Sequence, residues 1–391
     1  MRTPCARETE AALARDFSNY RSAETDYAAL HRAVAFGKAG GRIIWQPRIG
    51  CWYDDKIFSG EGLPAPYAGM SPVEVYESLN VSPRLYHYNA CFRAVEDPNV
   101  RFEVERLNAT DTKHTIVTPI GIQTEILRSS PSSPHERHVK WQISSEDELK
   151  VAIWRAERRT WQWDEEAFKA VSDEWGNLGA PTMFMPRVNI QDLYINTMGI
   201  ESAVFALYDY PDTMKAYFHA LDESHDRLID LINESRIEII NFGDNVHAGT
   251  LPPKLFAEFV LPAYQHRCQR LHTAGKFVHA HWDGDVKPLL PYAQETGLDG
   301  IEAITPVPQG DVTLEEVKAA LGDRMYLIDG LPAIYFDKTY SVETLEECTR
   351  RIIELFAPKL ILGISDEISS TGDIERVRLV SRIVDEYNAG L

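Results

Sequence analysis

Cysteine is scarce in this chain and never closely paired. The five present (Cys5, Cys51, Cys91, Cys268 and Cys348) include no C-x-x-C spacing. That argues against a thiolate metal cluster and a disulfide framework, and fits a reducing compartment. No apolar run approaches the ~20 residues that cross a bilayer. G-x-G-x-x-G is also missing, and with it the usual mark of a dinucleotide-binding open sheet. Positive charge is in short supply, with 40 Lys and Arg against 59 Asp and Glu and a formal charge of -19. Such a surface repels phosphate backbones and anionic headgroups, so neither nucleic acid nor membrane is an expected partner. The opening MRTPCARETEAALARDF carries acidic residues early and no apolar core of a secretory signal. A cytoplasmic location is therefore the expectation.

What is present is the composition of a folded globular protein, with 44% hydrophobic and 25% charged residues over 391 positions. That length suits two or three ordinary domains or one large α/β barrel. The first 40 or so residues read as a polar-faced helical extension. About 50–145 reads as a β-rich insertion or cap, with β-like runs RFEVERLN, KHTIVTPIG and RHVKWQI, and SSPSSPHER (129–137) has the composition of an exposed loop. From residue 180 onward, short apolar runs alternate with helical patterns. The runs are APTMFMP, IEIINFG, KFVHAHW, GIEAIT, MYLIDG and LILGIS, and GRIIWQP (41–47) makes a seventh. Nearly continuous apolar strands separated by amphipathic helices imply a parallel sheet covered on both faces. The expected fold is a single (β/α)₈ barrel spanning 1–391, in preference to an open doubly wound sheet. Its eighth strand has room in the 100–143 region.

In a barrel, chemistry sits at the C-terminal ends of the strands. KFVHAHWDGD is the most informative such end. With a period of two, Phe277, His279, His281 and Asp283 share one face and Val278, Ala280 and Trp282 the other. Buried polar groups need partners, so the two imidazoles and the carboxylate read as a metal or acid–base site, with a hydrogen-bonded structural network as the plainer alternative. Neighbouring ends add Glu302, Asp329, Asp366 and Glu367, the last two on opposite faces, and Asp244, Asn245 and His247 after IEIINFG. For Asp244 and Asp329, capping or a turn is an equal alternative. WQPRIGCWYD offers Arg48 as a carboxylate clamp, with Trp52 and Tyr53 as pocket walls.

The sequence resembles the uroporphyrinogen decarboxylase superfamily, most strongly from Phe242 to Glu367. NFGDNVHAGTLPPKLFAEFVLPAYQ is similar to the family's SPxxFxEFxLPY segment. HWDGD resembles the H-x-C-G-N of the methanogenic methyltransferases, with His281 at the histidine and Asp283 at the cysteine position. LILGISDEIS resembles the region where those enzymes supply a last cysteine, which this chain lacks. The resemblance implies a demethylating methyltransferase acting on a small methoxylated aromatic or methylated amine. It also implies a corrinoid on a separate protein, or tetrahydrofolate, as methyl acceptor, and dimerisation through barrel mouths is common in that family. Zinc is an expected metal, with His281, Asp283, Glu302, Asp366 and Glu367 as its candidate ligands. His279, Asp244, Arg48 and Tyr53 are the candidates for catalysis, and Trp52, Asn245, His247 and Trp282 for substrate contact. A cofactor-free decarboxylase and a non-catalytic small-molecule-binding barrel are the competing readings.

Overall fold

The computed structural model describes Tyr20 and residues 22–391. Of the expected helical extension, a helix spans Tyr27–Ala35, while residues 1–19 and 21 lie outside the described residues. Thirteen strands follow among the described residues. They are β1 (Ile44–Gln46), β2 (Phe92–Val95), β3 (Arg101–Arg106), β4 (Asp111–Thr118), β5 (Gly121–Ser130), β6 (Ser133–Lys140), β7 (Thr160–Trp163), β8 (Thr182–Met185), β9 (Ile239–Val246), β10 (Phe277–Trp282), β11 (Gly300–Glu302), β12 (Tyr326–Pro332) and β13 (Leu360–Ser365).

Seven of them form one parallel sheet in the order β1-β13-β12-β11-β10-β9-β8. This is the curled sheet of an α/β barrel, and all seven apolar runs found in the sequence are its strands. The eighth stave is not a strand, and it does not come from 100–143. It is the irregular segment 81–86, which lies between the two sheet edges. The Gln46 side-chain amide of β1 donates to Ser82 Oγ at 3.0 Å, and Leu85 bridges in parallel to Pro181 just ahead of β8. Asn89 then stands in for a ladder partner of β8. Its amide donates to Phe184 O at 3.1 Å and its carbonyl accepts from Phe184 N at 2.7 Å. The backbone groups of an edge strand must be satisfied somewhere; here a side chain does it.

Residues 101–140 instead form an antiparallel sheet, β3-β4-β5-β6, beside a two-stranded pair, β2-β7. The stretch expected as an exposed loop, 129–137, is the turn and the flanking ends of β5 and β6. Its serines and Pro134 are tolerated because β6 is an edge strand. No helix of the described residues is long and apolar enough to cross a membrane.

The barrel floor is a dry layer of Ile44, Ile239, Phe277, Tyr326, Ile328 and Ile361, closed from below by Tyr27, Leu30 and Val34 of the 27–35 helix. A larger core lies between strands and outer helices. The helix Pro211–Glu234 buries Met214, Tyr217, Phe218, Leu221, Leu228 and Ile232 there, one stripe at helical spacing. Val278, Ala280 and Trp282 belong to this outer core, while Phe277 joins the floor. The alternation along β10 thus sends the other set of residues, His279 and His281, into the barrel.

Candidate active site

Above the apolar floor the barrel interior turns polar, and Glu302 at the end of β11 is its hub. Its side chain is 1% exposed. The parallel register sets His281 of β10 beside it and His279 one pair lower, level with Asn241 of β9. His281 Nδ1 lies 3.2 Å from Glu302 Oε1 and His279 Nδ1 3.1 Å from Oε2. Arg84 Nη1 stands 2.9 Å from Oε1, Arg48 Nη1 stands 3.5 Å from it, and the Tyr86 hydroxyl donates to Oε2 at 2.9 Å. The Asn241 amide donates to both Glu302 and Tyr86. Both carboxylate oxygens are therefore crowded with donors.

A second carboxylate, Asp329 of β12, is fully buried and takes both terminal nitrogens of Arg84. Arg84 thereby bridges two acids. Burial alone would raise the Glu302 carboxyl, but the Arg84 guanidinium and the two imidazoles outweigh it and hold it well below the usual range. Burial also raises Asp329, the Glu302 charge adds to this, and here the Arg84 guanidinium does not fully compensate. Two acids sharing one cation are pushed apart, the pattern that separates an ionised role from a protonatable one. Arg84 and Arg48 are both raised, burial being overcome by Asp329 and Glu302.

The backbone takes positive φ on three neighbouring strands, directly after β11 and β13 and within β12. Ala303, Asp329 and Asp366 have φ of 68°, 78° and 69°, a region costly for residues with a Cβ. Strain of this kind concentrates where side chains are aimed for function. Gly363 of β13 keeps the ion pair possible, because a Cβ there would collide with Asp329 Oδ1 and approach Arg84 and the Gln46 carbonyl.

Arg48 also reaches Glu367, at 3.6 Å, and Glu367 accepts from the Cys51 backbone N–H. Of the Asp366–Glu367 pair it is thus Glu367 that faces the site, while Asp366 is exposed. Arg48, Arg84, Tyr53, Tyr76, Tyr86, Trp175, Asp54 and Glu367 line a cavity of about 230 Å³. The Tyr53 and Tyr76 hydroxyls donate to the Met70 and Pro47 carbonyls, which fixes both rings. Asp54 is raised by burial and by Glu367.

Other sequence candidates lie elsewhere. Asp244 is buried, accepts from Val188 N and the Tyr264 hydroxyl, and ties β9 to the outer helix 261–272. It turns outward at the irregular end of β9, where the register with β10 shifts. Trp282 is buried edge-on to Phe256 on the same outer side. Trp52 packs against Tyr67, away from the 230 Å³ cavity. Asn245 accepts from Arg187 at 3.2 Å, and His247 pairs with Thr250 in the loop after β9. Asp283 is 3.9 Å from His281 Nε2 and 30% exposed.

The expected zinc ligands do not converge. Among the described residues no group of three or more His, Cys, Asp or Glu is arranged to hold a metal ion. Both imidazoles place Nδ1 within 3.2 Å of Glu302, two guanidinium cations crowd its Oε1, and Tyr86 and Asn241 donate to its Oε2. These residues do not fit zinc at the hub. Arg84, Tyr86 and Asn241 complete this cluster, and the sequence did not reveal them.

Residues 193–387 match the family model described as Uroporphyrinogen decarboxylase (URO-D). That stretch, just under half of the chain, is similar to the uroporphyrinogen decarboxylase family. The match holds Asn241, His279, His281, Glu302, Asp329 and Glu367 but neither Arg48, Arg84 nor Tyr86. No curated protein matches the sequence. Among solved structures, a methyltransferase from Methanosarcina mazei superposes with a TM-score of 0.56 at 13% identity, covering 91% of this chain and 97% of its own. That likeness shows the fold. A putative vitamin-B12 independent methionine synthase from Listeria monocytogenes, at TM-score 0.40 and 11% identity over 88% of this chain and 96% of its own, is too distant to carry an argument.

Proposed function

We propose that this chain is a cytoplasmic demethylating methyltransferase that takes a methyl group from a small neutral or cationic donor, a methoxylated aromatic or a methylated amine. The observation that carries this reading is the charge balance of an aromatic-walled cavity. Its two arginines already face three carboxylates, Glu302, Asp329 and Glu367, of which Glu367 lines the cavity beside a further acid, Asp54. A polyanionic substrate would meet more negative than positive charge there, whereas an aromatic ring or an alkylated ammonium is accommodated by Tyr53, Tyr76, Tyr86 and Trp175.

The chemistry belongs to the donor-rich hub. Demethylation leaves negative charge or a lone pair on the departing oxygen or nitrogen, and Arg48 and Arg84 are cationic donors fixed in a buried setting where such stabilisation is strongest. Glu302 accepts from Nδ1 of His281 and supports its imidazolium form, from which Nε2 would pass its proton to the leaving group and leave the neutral ring. A corrinoid on a separate protein, or tetrahydrofolate, would accept the methyl group. The cavity is smaller than the ~300–1,000 Å³ of typical ligand sites, so an acceptor of corrinoid size must approach through the mouth.

The test is a methyl-transfer assay with cob(I)alamin and with tetrahydrofolate over a panel of methoxyarenes and methylated amines, beside an assay for carbon dioxide release from carboxylates. Transfer from neutral or cationic donors is expected. Carbon dioxide release without methyl transfer would replace this reading by the decarboxylase one.

A further inference from the structure

The antiparallel sheet has two edges, and they are finished differently. At one edge, β6 contains Pro134, carries register shifts against β5 and packs against the helix Gly50–Phe58. These are devices that keep an edge strand from pairing with another chain. At the other edge, β3 has no proline and an unbroken register with β4 from Arg101 to Arg106. All six of its residues are exposed, and Phe102 and Val104 are 61% and 67% exposed. Among the described residues nothing covers this edge.

The order of charges on β3, RFEVER, says what can. A second copy pairing antiparallel across a two-fold axis must centre on a residue, because directly opposed side chains share one face of the sheet, and two central registers do so. An axis on Val104 sets Glu103 against Glu105 twice. An axis on Glu103 sets Arg101 against Glu105 twice and Phe102 against Val104 twice. Its single like pair, Glu103 with itself, has an Arg101 diagonally on each side. Directly opposed opposite charges and apolar pairs stabilise a sheet, and opposed like charges destabilise it. Glu105 already lies 3.7 Å from Lys113 of β4, so the partner's arginine would complete a cation–anion–cation row.

We propose that β3 pairs with β3 of a second copy, centred on Glu103, to make an eight-stranded antiparallel sheet across a two-fold dimer. This interface lies on the inserted sheet and leaves the barrel mouth open.

Sedimentation velocity across a concentration series tests it on the full chain. The wild type should show a concentration-dependent monomer–dimer equilibrium. Arg101→Glu should weaken it about tenfold, since two cross-strand pairs become repulsive. The double variant Arg101→Glu/Glu105→Arg should restore it, and Glu103→Gln should tighten it by removing the like pair on the axis. Circular dichroism of each variant confirms that the exposed substitutions leave the fold intact. A wild type that is monomeric throughout, a dimer indifferent to Arg101→Glu, or a charge swap that fails to restore pairing would each overturn the proposal.

Discussion

The acids and the bases of the site come from two parts of the chain built in different ways. Asn241, His279, His281, Glu302 and Asp329 project from regular parallel strands, and Glu367 follows directly after one, all in the half that matches the superfamily. The cations and the phenol that complete the cluster, Arg48, Arg84 and Tyr86, follow a three-residue strand or sit in the irregular stave at 81–86. The strands supply buried negative charge that could not stand alone. The amino-terminal segments supply the compensation, and with it the shape of the cavity. A matched half-barrel therefore does not make this site by itself, and breaking either contribution should expose the other.

The largest effect should follow Glu302→Gln. It leaves the two arginines with an incomplete set of partners and frees the Nδ1 side of His281. Losing one partner of a buried ion cluster costs about 3–5 kcal/mol, and loss of an acid–base contribution lowers kcat by ~10²–10⁴-fold. Urea unfolding and methyl-transfer kinetics measure the two separately. Arg84→Met should come next, destabilising by about 3 kcal/mol because it strands Glu302 and Asp329 together. Arg48→Met should cost less, about 1 kcal/mol, since its side chain is 19% exposed against 5% for Arg84. Equal costs for the two arginines would contradict the placement of Arg84 as the inner bridge.

Acid should separate the two carboxylates. Glu302 is depressed in the folded state, so its stabilisation is complete above the unfolded value near 4.3 and is lost as pH falls towards the folded value. Asp329 is raised, so it works in the opposite sense: stability declines as pH rises from the unfolded value near 3.9 through the folded one. Wild-type stability should therefore fall below about pH 4, and Glu302→Gln should show a shallower fall. Urea midpoints at a series of pH values decide it. Tyr86→Phe should cost about 1–3 kcal/mol for one hydrogen bond to a buried charge, towards the lower end since Asn241 still donates to the same oxygen.

The same contrast explains what could be read from the sequence. Period two along KFVHAHW fixed the face of His279 and His281 because β10 is regular, and Glu302 stood out as a charge inside an apolar run. Trp282 was taken as a substrate contact although the alternation already put it on the outer face, and Asp244 sits where β9 shifts register against β10, so a period of two does not carry through to it. Arg84 and Tyr86 left no signal. VSPRLY has neither strand alternation nor helical spacing, and its position between β1 and β8 depends on Gln46 and Asn89 side chains satisfying backbone and side-chain groups across the gap. The zinc expectation came from the motif around His281 and Asp283; only the arginines, invisible in that motif, show why the carboxylate is already occupied.

Glu302, held by cations and imidazoles, should serve as no metal ligand. Zinc binding by the purified protein decides this, by isothermal titration beside elemental analysis after dialysis against a chelator. No stoichiometric zinc is expected, and no change in binding on Asp283→Ala. One tightly held equivalent per chain, lost in Asp283→Ala or Glu302→Gln, would contradict it.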